Sequence, residues 1–222
     1  RVLQIFSTLD VGGAETWLMS ILKYCCENAD ELPFRIRFDI CLTSGQSGFF
    51  DEQAKGFGAK LHYIKYSRKT LLSFIIKFRK LLVNGNYHAI HDHHDYTAGW
   101  HFLFGLGYLP HVRIAHVHNP LIHINTYTSR FSRKVTVSAG KFLLRYFATH
   151  VAGTSRQIVS EYGFEDAAFN KVKLSAVHCG FDVDKFRLDY VTSRSAIRCE
   201  FGWKEDVKII LFVGRLDSTT NG

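Results

Sequence analysis

Two stretches of this 222-residue sequence concentrate side chains that move protons or bind charge: HDHHDY at 91–96 and HVHNP at 116–120. A third, GGAE at 12–15, is bare of side chains just where charge could approach. His91, His93 and His94 with Asp92 and Asp95 are metal-ligand types at close spacing. Alternation along a strand would turn His93 and His94 to opposite faces, and no HExxH-type arrangement completes a site, so no metal is expected. An imidazole at a strand end can instead donate to a substrate hydroxyl or a developing oxyanion, and it exchanges protons near neutral pH. The plainer role for any one of these rings is a hydrogen bond to loop backbone. The Gly12–Gly13 pair, placed between a strand and a helix, would leave backbone N–H groups open to an anion such as a phosphate. It serves equally as a tight turn, and without GxGxxG the dinucleotide fingerprint is missing. Glu15 complements the dipole of the helix it would open.

Positioning these residues requires a particular order of elements. Strand-like runs fall at 2–6, 36–42, 61–64, 88–91, 113–118, 150–154 and 172–178, with helical patterns in most intervals between them. The alternation predicts an α/β fold: a Rossmann-like, doubly wound, mainly parallel sheet of about seven strands with helices on both faces. Ligands of such sheets sit beyond the carboxyl ends of the strands, which brings GGAE and both histidine groups to one edge. A polar helix near 189–202 precedes an intensely apolar strand at 207–216. We therefore expect a first domain over 1–206 and, over 207–222, the first strand of a truncated second one.

Lys and Arg number 28 against 20 Asp and Glu, a formal charge of +8 that favours an anionic partner. The cations gather at 65–82 and 130–147, both with helical spacing of apolar residues. In the first, Leu71, Leu72, Ile75, Phe78, Leu81 and Leu82 form the expected buried stripe. A solvated helix face explains this pattern, and peripheral contact with an anionic membrane is the alternative. No zinc-finger spacing or aromatic-basic RNA-binding pattern occurs, so nucleic acid is not expected. No run approaches the roughly 18 apolar residues of a membrane span and no signal peptide opens the chain. The five cysteines lack CxxC spacing and suit reduced thiols, so a cytoplasmic protein is expected, with the inner membrane face left open.

In order along the chain, GGAE, RIAHVHN (113–119), AGTSRQIVSEYGF (152–164), VHCGFDVDKF (177–186) and ILFVGRL (210–216) resemble the N-terminal half of a GT-B glycosyltransferase of family 4. The resemblance spans nearly all of the sequence. It implies an acceptor-side domain facing a nucleotide-binding domain, and transfer of a sugar from a nucleotide-diphosphate donor to a hydroxyl of a glycan or lipid-linked acceptor. Retention of configuration, polysaccharide or cell-envelope synthesis, and no cofactor beyond the donor substrate are implied with it. By the same resemblance His118 contacts the transferred sugar, Gly12 and Gly13 approach the donor diphosphate, and Arg215 neutralises its charge. Ser155 would flank the cleft, with His116 and Asn119 as neighbours. Cys179 stands where the family carries asparagine, and no lysine follows Arg215 before Gly222. The fragment alone would then be inactive. A nucleotide-sugar epimerase or hydrolase, a non-catalytic glycan- or membrane-binding module and a metal hydrolase on HDHHD are the alternatives.

Overall fold

Short β-branched and aliphatic runs separated by helices give a sheet only if each strand finds a ladder on both sides, and here all of them do except the two at the edges. The computed structural model describes residues 1–120, 131–165, 171–180, 183 and 190–212. The strands are β1 (Val2–Phe6), β2 (Phe38–Leu42), β3 (Lys60–Tyr63), β4 (Ala89–Asp92), β5 (Val112–Val117), β6 (His150–Gly153) and β7 (Lys173–Ala176). Every pairing is parallel, and the spatial order is β3-β2-β1-β4-β5-β6-β7. All seven runs read from the sequence are therefore strands, within two residues at most ends. The chain winds outward from β1 to β3, then returns to β4 and winds the other way. That reversal opens a crevice beyond the carboxyl ends of β1 and β4.

The helices are α1 (Gly13–Glu27), α2 (Asp51–Gly56), α3 (Leu71–Gly85), α4 (Thr97–Phe104), α5 (Phe131–Phe147) and α6 (Arg156–Glu161). The pleat divides β1 between two cores. Leu3 and Ile5 pack with Phe74, Phe78, Ile90, Phe102 and Val117, whereas Phe6 packs with Leu9, Leu18, Leu22, Ile40 and Leu42. Each fully buried Leu, Ile or Phe among these stabilises the fold by about 1.5–3 kcal/mol. On α3 the buried row is Phe74, Phe78, Leu81 and Leu82, so Phe78, Leu81 and Leu82 of the expected stripe are buried, while Leu71 and Ile75 are partly buried and Leu72 is 73% exposed. Successive helical residues turn by about 100°, which sets position 72 on the side opposite position 74. At the crossing of α4 and α5, a Cβ on Gly99 would lie 2.2 Å from the Gly140 carbonyl oxygen, and one on Gly140 would lie 2.4 Å from that of Tyr96. Only hydrogen fits at either position.

The chain divides into two compact units, Arg1–Phe181 and Asp182–Gly222. The second contains α7 (Tyr190–Phe201). Gly202, at φ +64°, ends this helix in the left-handed conformation that glycine adopts without strain. The buried Arg198 donates to the carbonyls of Lys204 and Val207, and Phe201 stacks on Trp203. Residues 207–212, expected to begin a strand, carry no regular secondary structure, and Ile210, Leu211 and Phe212 are 98%, 80% and 81% exposed. An apolar run becomes a strand only beside a ladder partner, and this one has none among the described residues. Residues 213–216, the rest of that expected strand, lie outside the described residues, as does Arg215.

Candidate functional site

The crevice at the reversal is built by three neighbouring strands whose α1-facing positions are unusually polar. Gln4 and Phe6 come from β1, His91 from β4 with His93 just beyond it, and His116 from β5 with His118 just beyond it. Because alternate residues share a face, the HxH spacing on β4 and β5 lines up four imidazoles. His91 Nε2 and His116 Nδ1 share a hydrogen bond of 3.0 Å, and His93 Nδ1 and His118 Nε2 share one of 2.8 Å. His93 Nε2 meets Gln4 Oε1 at 2.9 Å, and its ring stacks on Phe6 with centroids 4.1 Å apart. Trp17 of α1 caps the group edge-on, 5.4 Å from the His116 ring and 5.9 Å from that of His93.

Burial dominates the electrostatics. It holds His91 down to about 4, His116 to about 3 and His118 to about 4, and pushes His93 well below the usual imidazole range. Neighbouring imidazoles add to each shift, since a second positive charge beside a first is unfavourable. At neutral pH the four rings are uncharged hydrogen-bonding groups.

A second network lies on the other face. Asp92, the last residue of β4, is fully buried, and its Oδ1 accepts from the His94 backbone N–H at 3.0 Å and from His94 Nδ1 at 2.9 Å. Its Oδ2 accepts from His101 Nδ1 at 2.6 Å. Although burial opposes the charge, these imidazoles hold the Asp92 carboxyl well below the usual carboxylate range, so it is ionised. His93 and His94 join different networks, the first with His118 and Gln4 and the second with Asp92 and Thr43. Ligand-type atoms of His91, His93 and His116, and of Asp92, His94 and His101, lie within 4.8 Å of one another. Direct hydrogen bonds join His91 to His116 and Asp92 to both His94 and His101, whereas His93 bonds His118 and Gln4 and lies against the His91 ring with centroids 4.1 Å apart.

Asp95 fixes the loop after β5. Its backbone is left-handed at φ +49°, a conformation Asp tolerates better than most residues. Its carboxylate accepts from the His118 N–H at 2.8 Å and from Asn119 Nδ2 at 2.9 Å. Burial raises the Asp95 carboxyl, partly offset by these donors.

These elements enclose a cleft of about 410 Å³, lined by Gly13, Glu15, His93, His94, His118, Asn119, Thr154 and Cys179 among others. Of the residues singled out in the sequence, Gly13, His118 and Asn119 therefore share one wall-to-wall space. A Cβ on Gly13 would meet no atom within 4 Å, so a group can approach the backbone closely at that position. Gly12 is different. Its backbone is extended (φ −153°), and a Cβ there would lie 2.3 Å from Glu15 Oε2, so the Glu15 carboxylate folds back over it. Burial raises the Glu15 carboxyl, while its own backbone N–H opposes the shift. His116 lies beneath the cleft, stacked on His118 with centroids 4.2 Å apart. Ser155 caps α6, its Oγ accepting from the Ile158 N–H at 3.2 Å. The sequence reading had no role for Gln4 or Thr43, and weighed Asp92 and Asp95 only as candidate metal ligands; the polar residues inside β1 and β4 were the available signal.

No protein-family model matches the chain. It is 25% identical over 226 aligned residues to the capsular polysaccharide biosynthesis glycosyltransferase CapH of Staphylococcus aureus, an alignment covering all of this chain and 55% of CapH. The chain thus spans about half the length of that relative. Among solved structures, HepE of Anabaena in complex with UDP-glucose superposes with a TM-score of 0.61 at 15% identity, over 90% of this chain and 49% of HepE. A glycosyltransferase from Rickettsia africae superposes with a TM-score of 0.59 at 15% identity, over 98% of this chain and 53% of that one. The fold of this chain is Rossmann-like, and it is similar to about half of a GT-B glycosyltransferase.

Proposed function

We propose that the full-length protein transfers a sugar from a nucleotide-diphosphate donor to a hydroxyl group in the synthesis of a surface or capsular polysaccharide. The carrying observation is the cleft at the sheet's reversal, where the unobstructed backbone at Gly13 and the uncharged His118 ring face one space. The CapH likeness and the shared fold with the UDP-glucose-bound HepE support the same reading. As the glycosidic bond breaks, the leaving diphosphate gains negative charge, and amides fixed at a helix start stabilise it without reorganising. Glu15 now lies over part of that position, so donor binding displaces its carboxylate. His118 orients the transferred sugar, and Arg215 adds a positive charge. The nucleotide-binding half belongs to the rest of the full-length protein, no metal ion is needed, and the sugar keeps its anomeric configuration.

The test is incubation of the full-length protein with UDP-glucose and other nucleotide sugars, with and without glycan acceptors. Acceptor-dependent release of the nucleotide and a glycosylated product support the reading; release without a product favours a hydrolase or epimerase. NMR of the product's anomeric carbon decides retention.

A peripheral membrane contact has its own support. Leu72, Ile76 and Val83 are 73%, 61% and 57% exposed on α3, a helix that also carries Lys77, Arg79 and Lys80. Apolar side chains among cations suit the surface of an anionic bilayer. No helix among the described residues is long and apolar enough to cross a membrane.

A further inference from the structure

A second cavity, of about 340 Å³, opens at the other end of the sheet, where the amino ends of β1, β2 and β3 meet the C-terminal half of α3. Its floor is Asp39, which is 2% exposed and has both carboxylate oxygens engaged. Arg1 donates from Nε to Oδ1 at 3.0 Å and from Nη2 to Oδ2 at 2.9 Å. Tyr87 Oη donates to Oδ2 at 2.8 Å, and His62 Nε2 meets the same oxygen at 2.8 Å. The remaining arm of the Arg1 guanidinium donates to the Gly85 carbonyl at 3.0 Å. Although burial opposes the charge, His62, Arg1 and Tyr87 hold the Asp39 carboxyl below the usual carboxylate range. The floor is therefore a rigid ion pair whose polar groups are already spent.

The walls are different. Lys60 comes from the first position of β3, and Lys77 and Lys80 come from α3. All three are exposed, and none pairs with an acid among the described residues. Asp39 is the one acidic residue of the lining, and Arg1 already balances it. Ammonium groups gathered around one concavity repel one another, and a concave wall of one sign concentrates potential for an ion of the other. A lysine on a convex helix face is simply solvated, but these converge from a strand and a helix on a shared space. The site is separate from the cleft at Gly13: β1 alone, five residues long, sets the two ends of the sheet about 16 Å apart.

We propose that this cavity binds a dianionic phosphoryl group, held by Lys60, Lys77 and Lys80. Such a group is found free as phosphate and also on the headgroup of an anionic lipid. Ile76 and Val83, 61% and 57% exposed, stand four residues before and three after Lys80, so they share its side of α3 and would lie along the lipid. Binding of the group does not depend on sugar transfer, and its lipid source rests on the membrane contact proposed above.

The test compares the full-length protein with its Lys77→Gln/Lys80→Gln variant and with Lys60→Gln from the facing wall, all at exposed positions. Calorimetric titration with inorganic phosphate, at an ionic strength held constant with sodium chloride, reads the free source. Sedimentation with phosphatidylcholine vesicles carrying phosphatidic acid, a phosphomonoester, or phosphatidylglycerol, a diester, at matched surface charge reads the lipid source. Phosphate should bind the wild type at least about tenfold more tightly than the double variant, at an unchanged Kd for UDP, which assigns the free ion. A preference of the wild type for phosphatidic acid of similar size, lost in the variants while phosphate alone does not bind, assigns the headgroup. Variants that match the wild type in both assays, or a wild type that binds neither phosphate nor phosphatidic acid in preference to phosphatidylglycerol, overturn the proposal.

Discussion

Packing four neutral imidazoles under Trp17 should make this fold sensitive to mild acid. An unfolded histidine titrates near 6.5, whereas burial holds His91 and His118 at about 4 and His116 at about 3. Below pH 6.5 the unfolded chain therefore binds protons that the folded chain refuses, so stability falls as pH falls, between about 6.5 and 4. For one group with a folded value of about 4, the loss at pH 5 is about 2 kcal/mol. Even two of them acting independently would remove about 4 kcal/mol, a large part of the roughly 5–15 kcal/mol of a typical domain. Glu15 and Asp95, both raised by burial, act in the opposite direction, and Asp92 and Asp39, both lowered, lose their contribution only below the carboxylate range. From pH 7 to 5 Asp92 and Asp39 are therefore silent, and the histidines are read against the opposing Glu15 and Asp95. Urea unfolding followed by circular dichroism at pH 7, 6 and 5 should show the midpoint falling steadily. His91→Gln should flatten that dependence even if it lowers stability at pH 7. A free energy of unfolding constant within 1 kcal/mol from pH 7 to 5 would refute the reasoning.

Three further outcomes are expected. His118→Ala in the full-length protein should lower turnover of a nucleotide sugar about 100-fold without changing the melting temperature, and unaltered turnover would remove His118 from the mechanism. Gly99→Ala should destabilise the fold by roughly 1–3 kcal/mol, measured by the same urea titration, because its methyl group would meet the Gly140 carbonyl oxygen of α5. The full-length protein should sediment with anionic vesicles at low salt and release at high salt, with Ile76→Glu weakening the association; failure to sediment at low salt would argue against a membrane role for α3.

The sheet was legible because each strand repeats a short apolar run between helical patterns, and the reversal at β1 and β4 follows from the winding of such folds. GGAE and the two HxH pairs could be placed on one edge by the same logic. What the residue types alone could not supply was partnership. Asp92 and Asp95 look alike in HDHHD, yet one lies inside the sheet between two imidazoles while the other clamps the loop carrying His118. The first depends on His101 of helix α4, nine residues further along, and the second on the end of strand β5, more distant in sequence. Glu15 was read as a dipole complement, and only its position shows that it covers Gly12. For the apolar run near 210, local propensity says nothing about whether a neighbouring strand is present, and only residues 207–212 of it are described, without regular secondary structure.

The central claim is that the open start of α1 faces the diphosphate of a sugar nucleotide. Gly13→Asp tests it with little risk to the fold, since a Cβ there meets no atom within 4 Å. Its carboxylate would point negative charge at the arriving phosphates. Titration of the full-length protein with UDP-glucose by calorimetry should show the variant binding at least about tenfold more weakly than wild type, equivalent to roughly 1.4 kcal/mol, at an unchanged melting temperature. Equal affinity in a folded Gly13→Asp protein would contradict the account.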